Sequence, residues 1–108
     1  MTILRINREN FDLIKSGKKT AEFRNPSKYN KNLLMKDRGD GKKDGNPDIK
    51  EITLINGYSK EAPRMIIEVK RIRLVKFQKD INLPDENFSA KAEQFAIEIN
   101  LGKILAIS

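Results

Sequence analysis

The segment Gly17 to Arg24 (GKKTAEFR) brings a flexible residue, a lysine, a carboxylate and a guanidinium together at short spacing. Gly17 permits a positive-φ exit from a preceding helix, which places Lys19 at the mouth of the strand that follows. In an extended chain Thr20, Glu22 and Arg24 fall on one face, with Ala21 and Phe23 on the other. The Glu22 carboxylate can then orient the Arg24 guanidinium or neutralise Lys19. Arginine offers a planar fork for phosphate and lysine a mobile point charge. Two chemistries fit this set. One is ligand binding through Lys18, Lys19, Thr20, Glu22 and Arg24, joined by Lys28, Tyr58 and Arg64, with Tyr58 stacking a base. The other is catalysis, with Lys19 as nucleophile or proton-transfer group and Glu22 as its partner. A third account gives the motif no ligand: a structural ion-pair cluster pinning helix to barrel. Tyr58 likewise reads equally as a rim tyrosine.

The chain of 108 residues has neither cysteine nor histidine. That excludes thiolate zinc sites, Cys nucleophiles, His bases and Ser-His-Asp triads together. Gly17-Lys18-Lys19-Thr20 superficially resembles the end of a phosphate-binding P-loop, but it lacks the upstream glycine and follows a helix where a P-loop precedes one. Asp37, Asp40, Asp44 and Asp48 lack calcium-loop spacing, and Arg38, Lys42 and Lys43 among them repel a cation. No metal or cofactor is expected.

Net charge is +7, all of it in residues 1–43, which hold 12 Lys/Arg against 5 Asp/Glu. Residues 60–79 are basic and residues 80–108 acidic. An asymmetric positive field points to a polyanionic partner, RNA or a nucleotide first. Arg71 and Arg73 could extend such a groove. The acidic C-terminal third leaves open a protein-binding adaptor. The N-terminus has no apolar leader and no apolar run has membrane-spanning length, so a cytoplasmic protein with no membrane contact is expected. Oligomeric state is not legible.

The elements that must position the motif can be read from period and punctuation. Ile3 to Ile6 is a first strand. Asn7 caps a helix whose stripe is Phe11, Leu13 and Ile14, ending at Gly17. Thr20 to Arg24 is a strand with Ala21 and Phe23 inward and the polar trio outward, stopped at Asn25-Pro26. Tyr29 to Met35 is a strand or a turn of helix. Asp37 to Asp48 is a charged, glycine-rich loop. Ile52 to Ile55 is a strand ending at the Asn56-Gly57 turn. Met65 to Phe77 is a long β run whose apolar phase slips, predicting a bulge near Lys70-Arg71. Pro84 to Gln94 is read as a second short helix. Phe95 to Asn100 and Lys103 to Ile107 are strands, with Leu101-Gly102 turning between them. The expected core is Phe11, Ile14, Phe23, Leu54, Val69, Phe95, Ile97 and Leu105, in one α+β domain built as a small mixed barrel across residues 1–108.

Gly17, Lys19, Glu22 and Arg24 reproduce the G-x-K-x-x-E-x-R signature of ASCH domains. The flanking chain is also similar: a strand and short helix before the motif, Asn56-Gly57-Tyr58-Ser59 after a central strand, and a closing hairpin from Phe95 to Ile107. The resemblance covers most of the chain, the 37–48 segment least. It implies a PUA-like barrel whose signature lines a cleft beside the first helix and takes part in RNA-related binding. Some relatives are hydrolases, among them ribonucleases and an amidohydrolase of N4-acetylcytidine with a catalytic Lys, Thr and Glu. The Lys matches Lys19. Glu22 occupies the Thr position, and the remaining Glu falls among Asp85, Glu86 and Glu93.

Overall fold

A computed structural model describes residues 1–84 and 88–108. The first strand, β1 (Ile3–Ile6), leads through Asn7 into helix α1 (Arg8–Lys15). Asn7 is the N-cap: its side chain accepts from the backbone N–H of Asn10 at 2.8 Å. The helix exits through Gly17 at φ +79°, where the backbone N–H groups of Lys18 and Lys19 both donate to the carbonyl of Leu13. Phe11 and Ile14 face the core.

Strand β2 (Ala21–Arg24) follows, then helix α2 (Lys28–Leu34), capped by Ser27, whose hydroxyl accepts from Asn30 N–H at 3.1 Å. The 29–35 segment is therefore helical up to Leu34. The segment 37–48 expected as a loop is partly ordered as a hairpin: β3 (Met35–Asp37) ends at its first residue and pairs with β4 (Lys43–Gly45) inside it. Its tip is closed by the Arg38 N–H donating to the carbonyl of Lys42 at 3.0 Å. Lys36–Asp48 and Arg38–Asp44 ion pairs tie the hairpin's charges to one another. The remaining strands are β5 (Glu51–Asn56), β6 (Arg64–Lys76), β7 (Ile81–Leu83), β8 (Phe88–Ala90) and β9 (Phe95–Ile107).

Five strands form one sheet in the order β1-β5-β6-β9-β2, which curls into a half-barrel with the two helices in an α+β arrangement. Only β1 and β5 run parallel. The predicted phase slip is present: the β6–β9 register shifts three times between Ile66 and Arg71. Such bulges bend a long strand so that a sheet can curl.

Four further expectations are corrected. Leu101-Gly102 does not turn the chain; β9 is one continuous 13-residue strand whose irregular register absorbs the glycine. Of the Pro84 to Gln94 segment expected as a short helix, Pro84 is in a 3-10 conformation and residues 85–87 lie outside the described residues. Phe88–Ala90 is strand β8, paired antiparallel with β7, and Glu93 takes a left-handed φ of 72°. Phe88 is drawn there into a three-ring cluster with Phe23 and Phe77 at centroid distances of 5.4–5.9 Å. Phe95 and Leu105 are about half exposed, because β2 covers β9 only from Ile97 to Asn100, and Leu105 is passed over in the register with β6.

The fourth correction concerns β2, whose faces are reversed. Glu22 is buried, opposite Ile99, whereas Phe23 leaves the main core for the Phe77–Phe88 cluster. The main core is built from Leu4, Leu54, Met65, Ile67, Ile97 and Ile99, with Phe11 and Ile14 of α1 packed on it. No helix among the described residues is long and apolar enough to cross a membrane.

Candidate functional site

The two edge strands of the half-barrel, β1 and β2, share no backbone ladder. A side chain bridges them. Arg24 Nη2, on β2, donates to the carbonyl of Arg5, on β1, at 2.9 Å. The same guanidinium grips Glu22 Oε2 through Nε at 3.1 Å and Nη2 at 2.9 Å. On the other carboxylate oxygen, Oε1, sits the Lys19 ammonium at 2.9 Å. Lys19 also donates to Asn10 Oδ1 of α1 at 3.1 Å. Helix, motif strand and first strand are thus joined through one carboxylate.

The cluster is deeply placed: the Lys19 and Glu22 side chains are each 5% exposed, and Arg24 is 23% exposed. Burying charge is costly unless each charge is paired and hydrogen-bonded. That condition is met, since no buried side-chain polar atom among the described residues lacks a partner. The bonds from Lys19 and Arg24 occupy three of the roughly four acceptor positions of a carboxylate.

Above this cluster lies a cleft of about 300 Å³ at the seam between β1 and β2. Glu22 and Arg24 line it together with Asn7, Asn10, Asn25 and Asn30. Phe23 and Phe88 supply its apolar side. Carboxylate, guanidinium and amide groups present both donors and acceptors, and an aromatic wall offers a face for a flat ring. A second cleft of about 420 Å³ shares Arg5, Arg24 and Asn30 with the first and is lined by Tyr29 and Tyr58.

Of the residues singled out from sequence, Lys19, Glu22 and Arg24 meet in one cluster, and Tyr58 lies one cleft away across Arg24. Lys18, Thr20 and Lys28 are exposed, and Thr20 borders a separate cleft with Gly17, Lys19 and Leu101. Arg64 pairs through its backbone with Ser108. Tyr58 stacks on Arg5, whose Cζ lies 4.9 Å from its ring centroid. Arg71 lines a different groove beside β4, and Arg73 is held by Glu98 at 2.7 Å. Asp85 and Glu86 lie outside the described residues; Glu93 pairs with Lys76 at 2.6 Å.

Arg5, Asn7, Asn10, Asn25, Tyr29, Asn30 and Phe88 were not singled out as site residues. One of them left a sequence signal. Asn10 stands four residues before Ile14, on the apolar stripe of α1, where a buried amide needs a polar partner. The others come from distant segments that only the fold assembles.

No protein-family model matches the chain, and no curated protein or solved structure matches it either.

Proposed function

We propose that the chain is an ASCH-type, PUA-like module that holds a nucleobase of RNA or of a free nucleotide in the seam cleft. The observation that carries this reading is the presentation of Glu22 into a polar cleft with both oxygens oriented by cations. A carboxylate fixed in this way is a directional acceptor for the exocyclic amine or ring N–H of a base. The asparagine amides complete edge recognition, Phe23 and Phe88 face the ring, and Arg5 and Arg24 attract the attached phosphate.

The charge pattern supports the same partner. Folding pairs β6 with β9, so basic residues of 60–79 meet acidic residues of 80–108: Arg73 with Glu98, and Lys76 with Glu93. The acidic third is thereby partly neutralised, which weakens the adaptor reading. Of the excess positive charge in residues 1–43, Lys36 and Arg38 pair with Asp48 and Asp44, while Lys15, Lys18, Lys28 and Lys31 on and beside the two helices are exposed. In the hydrolase reading Lys19 would act on substrate; here its ammonium lies buried against Glu22 and Asn10, a placement suited to positioning Glu22.

The test is an NMR titration of the labelled protein with nucleosides, nucleotides and short RNAs. The reading expects shifts centred on Asn7, Asn10, Glu22, Arg24 and Asn25. Saturable binding that leaves those amides unmoved would refute it.

A further inference from the structure

The chain has two tyrosines and no tryptophan. Both tyrosines line the second cleft, Tyr29 from the first turn of α2 and Tyr58 from the turn after β5, and they are 72% and 85% exposed. Exposed tyrosines are ordinarily just solvated. Here Tyr58 has a defined support: the Arg5 guanidinium lies against its ring and also donates to the carbonyl of Gly57 at 2.6 Å. Gly57, at φ +101°, makes the turn that puts Tyr58 over Arg5. Among the described residues Arg5 has no carboxylate partner, so its charge remains available to an anion.

We infer that this outer cleft is a stacking subsite for a second base, making the ligand a single-stranded nucleic acid of at least two nucleotides. The inference rests on the nucleobase reading of the inner cleft. The two clefts adjoin through Arg5, Arg24 and Asn30. A phosphate linking two bases would lie over that boundary, facing the two guanidiniums. Aromatic platforms beside a basic track are how sequence-tolerant proteins hold single strands. A tyrosine-lined groove also suits proline-rich peptides, but the uncancelled Arg5 charge and the basic N-terminal half favour a polyanion.

Tyrosine emission is a direct readout, because with no tryptophan present it reports on this cleft alone. The probes are RNA pentamers of A, C and U and the three matching nucleosides. The expected result is quenching by at least one pentamer, with an affinity at least about tenfold above that of its nucleoside. Tyr58→Ala should lower pentamer affinity at least about tenfold and leave nucleoside affinity within about twofold, while Tyr58→Phe retains pentamer binding. Nucleoside binding at Asn10 and Asn25 with pentamers no tighter overturns the outer subsite and spares the inner one. Pentamer binding insensitive to both Tyr29→Ala and Tyr58→Ala overturns it as well. Quenching by a proline-rich peptide and not by RNA, or no binding of either nucleic-acid probe, overturns both.

Discussion

Arg24 closes the half-barrel where no backbone ladder does, by reaching from β2 to the carbonyl of Arg5 on β1 at 2.9 Å while holding Glu22. Scaffold and candidate site therefore share one side chain. Arg24→Lys keeps the charge but cannot make both contacts with its single ammonium in this fork geometry. Urea denaturation should show a loss of about 1.5–3 kcal/mol, the range of a hydrogen bond to a charged group.

Glu22 separates scaffold from site. Glu22→Ala removes the carboxylate shared by buried Lys19 and Arg24 and should cost about 3–5 kcal/mol. Glu22→Gln preserves shape, so the loss should be about 1–3 kcal/mol, with nucleoside affinity falling at least about tenfold. Thermal melts and binding isotherms on the same preparation decide the matter: lower stability with unchanged affinity reduces the cluster to a structural ion pair.

Phe23 and Leu54 should respond differently to truncation. Leu54 is fully buried in the main core, so Leu54→Ala should cost about 2–5 kcal/mol. Phe23 is half-buried in a satellite ring cluster, and Phe23→Ala should cost less, about 1–2 kcal/mol. Equal losses in calorimetry would return Phe23 to the main core.

Gly45 marks where the β3–β4 hairpin touches β6. A Cβ there would stand 1.7 Å from the backbone oxygen of Ile72, which cannot move aside as a side chain can. Gly45→Ala should cost about 1–3 kcal/mol, with hydrogen exchange rising in β3 and β4. At Gly102 the clash is with the Glu68 carboxylate, a mobile group, and Gly102→Ala should cost less.

The Lys36 ammonium, through its hydrogen bond and charge, holds Asp48 below the ordinary carboxylate value of 3.8. A depressed folded-state pKa stabilises the protein above the unfolded value, and that contribution disappears as pH falls through the lowered one. Carbon-detected NMR titration should find the Asp48 midpoint below 3.8, moving towards it in Lys36→Ala. An unchanged midpoint would remove the ion pair.

Local spacing was enough to place α1, its Asn7 cap, the Gly17 exit, the motif strand and the β6 irregularity. Each depends on near neighbours: a cap on three residues, a strand on alternation, a bulge on a slip in that alternation. The same local evidence also brought Lys19, Glu22 and Arg24 within reach of one another. It could not say which way β2 faces. Alternation defines two faces, and on an edge strand either can be covered; β2 buries Glu22 against β9 and gives Phe23 to rings from Phe77 and Phe88. Likewise the basic 60–79 and acidic 80–108 segments look like opposite poles in sequence, yet cross-strand pairing places Arg73 on Glu98. The seam cleft belongs wholly to the tertiary level. Arg5, Asn10, Arg24 and Asn30 come from four elements, and they converge because the sheet curls until its two edges lie within one arginine's reach.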